Sequence, residues 1–312
     1  MSYVLRRLER MVLTIAGVIT FAFLLIHLTP GDPAALVLGD YVTPDALRQV
    51  RAQLELDKPL AVQYARYASR VLHGDLGHSF RTDQPVLDEI RSQAPFTAML
   101  TAAGIVLALA IGVPIGTLAA IRRNSLADYA ATTVAMLSLS TPGFWFAILL
   151  IYVFAYRLGL FPVIGAGRWG DWHAILTHLA LPAVAIGARS AALVARMTRS
   201  SMLDVLHQDY IRTGRAKGLS GRAVVLKHAL RNAAIPIVTI VGLDVAYLLG
   251  GAVVTETVFA RPGLGKLLVD AIYARDYPTI QGAIMIFAFS LVVINLLVDL
   301  SYACLDPRIR YQ

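Results

Sequence analysis

The chain has 312 residues, 57% of them hydrophobic and only 15% charged, with a mean hydropathy of +0.64. That balance excludes an ordinary soluble domain and implies several membrane spans. A net charge of +8 would suit either nucleic acid or basic cytoplasmic loops, and one cysteine, Cys304, excludes an intrachain disulfide and a cysteine metal cluster.

Three arginines, Arg6, Arg7 and Arg10, precede an apolar run from Met11 to Leu28. Its 18 residues exceed the core of a signal peptide and approach the roughly 20 needed to span, so it reads as a retained first span entered from the cytoplasm. Thr29 to Pro95 contains no spanning run and reads as a small extracytoplasmic helical domain. Thr43-Pro44 starts one helix there, over Asp45–Leu56. Pro59 opens a second, with Leu60, Tyr64, Tyr67 and Val71 on one face, and Pro85–Gln93 forms a short third. A domain this small is expected to lean on the spans.

Five further apolar runs lie near Phe96–Ile121, Ala130–Tyr156, Ile175–Ala195, Ala233–Thr255 and Gly282–Ala303. Gly112 and Gly116 form a small-xxx-small pattern that permits close helix approach. Pro142, inside the third span, predicts a kink or break. The expectation is an all-α membrane protein of six spans with both termini inside. Its parts are 1–28 (first span), 29–95 (external domain), 96–303 (core) and 304–312 (cytoplasmic tail). Segments on the cytoplasmic side then hold 15 Lys/Arg against 5 Asp/Glu, and external segments hold 12 against 13. The basic excess therefore follows the positive-inside rule, and nucleic acid is not needed to explain it.

Three charges fall inside spans: Arg189, Asp244 and Asp299. Asp299 is close enough to the cytoplasmic end to reach the interface. Arg189 and Asp244 sit near mid-span, where an unpaired charge costs several kcal/mol. Either they pair and hold two spans together, or both line a wet cavity and touch substrate.

No catalytic constellation emerges. Ala260-Arg-Pro-Gly-Leu-Gly265-Lys266-Leu267 lacks the first glycine and the Ser/Thr of a phosphate-binding loop. His173 and His178 are five apart without a neighbouring Glu, and no Gly-x-Ser-x-Gly occurs. What remains is a basic cytoplasmic loop of about 35 residues, with Arg212, Arg215 and Lys217 among glycines 214, 218 and 221. Such a loop could rest on anionic lipid or insert into a groove on a cytoplasmic protein.

The run Asp209-Tyr-Ile-Arg-Thr-Gly-Arg-Ala-Lys-Gly218-Leu, continued by His228-Ala-Leu-Arg-Asn232 and Pro236, resembles the coupling loop of binding-protein-dependent ABC importer permeases. It is similar in particular to the dipeptide/oligopeptide/nickel branch. Pro30-Gly31-Asp32-Pro33, Leu56-Asp57-Lys58-Pro59-Leu60, Gly74-Asp75-Leu76-Gly77, Thr255-Glu256, Pro262-Gly-Leu-Gly265 and Arg275-Asp276-Tyr277-Pro278 extend the likeness along the chain. Two departures stand out: Gly214 replaces the branch's usual Ala, and Asp244 its usual polar residue.

The resemblance implies a type I importer permease fold in the bacterial inner membrane. It implies a multi-pass subunit working with a second permease subunit, two ATP-binding subunits that hold ATP and Mg²⁺, and an external solute-binding protein. By the same resemblance, a coupling helix at about 210–222 would engage the ATPase through Tyr210, Arg212, Thr213, Arg215, Ala216, Lys217, Gly218 and Leu219. Arg189, Asp244 and Glu256 become pathway candidates, and Asp75, Leu76, Arg275, Asp276 and Tyr277 candidates for docking the binding protein. The expected cargo is di- or oligopeptides, with nickel chelates or glutathione as the alternative. A stand-alone secondary transporter and an intramembrane enzyme are the rivals. The first would show inverted repeats, and the second a nucleophile or metal pair.

Overall fold

The computed structural model describes residues 2–28, 32, 34–35, 43–53 and 56–305. These are almost wholly helical, with one isolated antiparallel bridge between His78 and Pro85. Part of the Pro30–Pro33 motif and the tail after Leu305 lie outside the described residues, as does the side chain of Asp299. Among the described residues five helices are long and apolar enough to cross a membrane, and the count is six when a helix pair bent at a short break is taken as one span.

The chain divides into two compact units. The first comprises residues 1–95 and 263–293. It contains α1 (Ser2–Leu28), α2 (Pro44–Gln53), α3 (Leu60–Leu72), α10 (Leu264–Ala274) and most of α11 (Tyr277–Leu305). Helix α3 does lean on the first span. Phe23 meets Tyr64 edge-on at 5.4 Å, Thr20 and Tyr64 share a hydrogen bond of 2.9 Å, and His27 pairs with the Gln63 amide at 3.0 Å. The inward face differs from the expected one, because Leu60 is 52% exposed and Gln63 is buried in its stead. Burial of that amide is tolerable because it also donates to the Lys58 carbonyl at 2.7 Å. The short helix expected over Pro85–Gln93 is instead the start of α4 (Val86–Ile121), one continuous helix. Pro95 removes a backbone donor there without stopping it.

The second unit comprises residues 96–262 and 294–310. Helix α5 (Leu126–Ser140) and the following α6 (Gly143–Arg157) form the third span, bent by 104°. The break is Thr141-Pro142, both extended, with Pro142 supplying no amide hydrogen. Ser125 caps α5 by accepting from the Asp128 amide. Helix α7 (Trp172–Leu206) is the most buried of the spans. Both it and α9 (Gly221–Val258) continue past the expected membrane limits into the cytoplasmic segment.

The small-residue seam expected at Gly112 and Gly116 is where α4 meets α7. A methyl group at Gly112 would lie 2.7 Å from the Ala191 carbonyl oxygen and 2.8 Å from Val194, and one at Gly116 would collide with the Ala195 carbonyl. The two backbones approach as closely as these glycines allow. Gly250 on α9 has open space around it. Gly116→Ala should therefore lower the thermal midpoint in detergent, at a cost of about 1–3 kcal/mol from overpacking. Gly250→Ala should leave it unchanged or raise it, since alanine favours helix. Equal midpoints for the two variants would refute the close-packed seam.

Candidate functional site

Two residues after α7 ends, the chain enters α8 (Asp209–Ala216), which is short, basic and largely exposed. Its sequence alone would not hold it in place. Eight residues are too few for a stable isolated helix, so packing must fix it. Ile211 supplies that packing: it is 1% exposed and belongs to a cluster with Met202 of α7 and Val224, Ala229 and Ala233 of α9. Burying this side chain contributes about 1.5–3 kcal/mol. Asn232 adds a second tie, donating to the Tyr210 hydroxyl at 2.9 Å.

The helix is shorter than the 210–222 expected. Gly218 adopts φ +80°, a left-handed conformation that terminates it, and Ser220 caps the start of α9 by accepting from the Ala223 amide. The glycines thus serve a turn. The first turns of α9 include a π-helical stretch, Val224–Ala229, whose two end residues pack in the cluster around Ile211.

The rest of α8 faces outward. Arg212 pairs with Asp209 at 2.5 Å, and Thr213 donates to the Asp209 carbonyl at 3.0 Å. Arg215, Ala216, Lys217 and Gly218 are exposed, as are much of Tyr210 and Leu219. Of the eight residues expected here, Tyr210, Arg212, Thr213, Arg215 and Ala216 lie on α8, and Lys217, Gly218 and Leu219 in the turn that follows it. Ile211, which the sequence reading passed over, is the residue that seats them.

At mid-depth in the same unit, Arg189 of α7 and Asp244 of α9 approach to 3.5 Å. Asp244 is buried, whereas 36% of the Arg189 side chain is accessible. The guanidinium also lies over the Tyr247 ring, 3.7 Å from its centroid. The paired arrangement anticipated from their depth is present, with Tyr247 as a third member that periodicity did not flag. Glu256 is elsewhere: it is fully buried and accepts from the Thr97 hydroxyl at 2.6 Å, tying the end of α9 to α4. It does not line an open surface of this chain.

The docking candidates separate in the first unit. Asp75 and Arg275 are exposed, and Leu76 packs with Val86 and Ile90. Asp276 and Tyr277 are interior, 2% and 6% exposed. Asp276 accepts from the Ser79 hydroxyl at 2.6 Å, the Phe80 amide at 3.0 Å and the Thr279 hydroxyl at 2.7 Å. Its carboxylate is used up inside the fold, so Asp276 and Tyr277 cannot present a docking surface on this chain.

Five long apolar helices and one bent pair among the described residues, with a short basic helix seated against α7 and α9, define a multi-pass membrane protein. The chain belongs to the binding-protein-dependent transport system inner membrane component family, whose model matches residues 112–311. The family's N-terminal model matches residues 1–101. It is thus an ABC importer permease, a multi-pass inner-membrane protein. It is 45% identical over 312 residues, covering 100% of both chains, to the glutathione transport system permease protein GsiC of Salmonella paratyphi A, and equally to that of Escherichia coli K12. Among solved structures it is similar in fold to the inward-facing MetNI methionine ABC transporter, with TM-score 0.56 and 18% identity over 70% of this chain and 96% of that one. An amino acid ABC transporter crystallised with histidines gives TM-score 0.54 and 15% identity, covering 70% and 94%.

Ile211→Ala should unseat α8, because truncating a buried isoleucine costs about 2–5 kcal/mol. Amide hydrogen exchange over 209–219 should accelerate by at least about tenfold while exchange in the middle of α7 is unchanged. Unaltered exchange over 209–219 would show that Ile211 is not the anchor.

Proposed function

We propose that this chain forms, with a second permease subunit, the translocation pathway of an ATP-driven importer for glutathione. End-to-end identity of 45% to a glutathione permease carries this reading. It favours glutathione over the wider class of di- and oligopeptides that the coupling-loop motif suggested. Two ATP-binding subunits would hold ATP and Mg²⁺, and an external solute-binding protein would deliver the cargo.

In this reading α8 is the contact through which the nucleotide subunits act. Closure of those subunits on ATP would displace the exposed face formed by Arg212, Arg215, Lys217 and Leu219. Ile211 would pass that displacement to α7 and α9 together, since its cluster includes residues of both helices. Helices α7 and α9 run continuously from this contact into the membrane, so a shift at one end moves the other. Of the candidates for docking the binding protein, Asp75 and Arg275 are the accessible ones.

Two measurements test the parts separately. Mass spectrometry of the ligand that co-purifies with the partner solute-binding protein should find glutathione, and a dipeptide or oligopeptide there would return the cargo to the broader class. Joint replacement Arg215→Glu and Gly218→Val should reduce binding-protein-stimulated ATP hydrolysis and uptake in the reconstituted importer by about tenfold, the scale of a typical coupling energy. Undiminished stimulation and uptake would remove α8 from the coupling path.

A further inference from the structure

We propose that Arg189 is a carboxylate-binding post in the translocation pathway, with Asp244 and Tyr247 as the residues that position it. Depth comes first. The partner of Arg189, Asp244, lies 11 residues from each end of the expected span Ala233–Thr255, about 16 Å along the axis in either direction, and Arg189 meets it there. The half-thickness of the hydrocarbon core is about 15 Å, so the pair meets near mid-membrane.

Exposure comes second. A third of the side chain is open on the chain by itself, yet an arginine at this depth is too costly to leave in lipid. Its open edge must therefore face water, cargo or protein. Lipid phosphate is excluded by the same depth.

Valence comes third. The guanidinium has five N–H donors, and its contacts with described residues are the 3.5 Å approach to Asp244 and the Tyr247 ring face. Neither is a hydrogen bond. The pair orients the arginine while leaving its fork of donors free, which is the geometry that takes a carboxylate in a bidentate manner. Glutathione carries two carboxylates, and a peptide carries one at its C-terminus. The proposal thus rests on the cargo reading above for its substrate, and either cargo supplies the group.

The test uses the complete importer in proteoliposomes, with glutathione as the probe. Arg189→Lys keeps the charge and the partner but loses the fork, and should lower uptake several-fold. Arg189→Gln with Asp244→Asn removes both charges, so no buried carboxylate is orphaned. It should assemble as the wild type does on size-exclusion chromatography, yet import glutathione at about a tenth of the wild-type rate or less, as expected for losing a charged hydrogen-bonded contact. Restored uptake in this double variant would reduce Arg189 to a structural partner of Asp244. Loss of assembly would assign it to holding the helices or the second subunit, and wild-type rates in the lysine variant would deny the fork. Each of these overturns the proposal. A wild-type importer that ignores glutathione but takes up a dipeptide defeats the cargo reading alone, and the same variants are then read with the dipeptide.

Discussion

Close backbone packing of α7 is the constraint on which the second unit depends. In lipid there is little hydrophobic drive to bring helices together, so association relies on dispersion contacts and shape. The glycines of α4 supply the shape, letting Ala191, Val194, Ala195 and Thr198 of α7 approach its backbone. On its other sides α7 packs against α9 and α6. The short appendage at residue 209 shares its anchor with both α7 and α9.

The helical architecture was legible because hydrocarbon enforces it: long apolar runs have no other stable form in a bilayer. The break at Pro142 was legible for the same reason that it exists, the missing amide hydrogen. The proximity of Arg189 to Asp244 followed from the cost of isolated charge at mid-depth. Other features were hidden because they depend on where a side chain ends up in three dimensions. Ile211 is one apolar residue in a polar octapeptide, and nothing in its spacing separates a seat from an exposed tip. Asp276 illustrates the opposite error. Its motif suggested a surface role, but the carboxylate sits at the focus of three donors supplied by residues up to 197 positions away. Gln63 displaced Leu60 from the inward face of α3 because two partners happened to meet its amide.

The buried ionic groups of the second unit sort by how fully each is matched. Arg199 binds Asp128 through two donors, at 2.5 and 2.8 Å, with the carboxylate also accepting from the Asn124 amide. This joins α5 to α7 near the cytoplasmic end, where removing one partner would leave the other charge buried and cost about 3–5 kcal/mol. Arg261 is the other extreme. It is wholly buried, its three guanidinium nitrogens have no hydrogen-bond partner among the described residues, and the Phe96 ring lies 5.8 Å away. Burial lowers its pKa below the ordinary arginine value, while Glu256, five residues earlier, opposes that shift.

Arg189 falls between these, and the contrast with Arg199 is instructive because both arginines project from the same helix. Ten residues apart on α7, one is clamped by a bidentate carboxylate and the other merely faces one across 3.5 Å. The helix can therefore build a tight strut where one is needed. A strut at Arg189 would consume the donors and fix α7 to α9 at the level where a transporter's helices must separate and close again. A loose pair satisfies the electrostatics of an embedded charge without that bond, and it leaves the charge able to exchange one acceptor for another as the pathway changes shape. The two arginines of α7 thus differ in how far each has its donors used up within this chain's described residues.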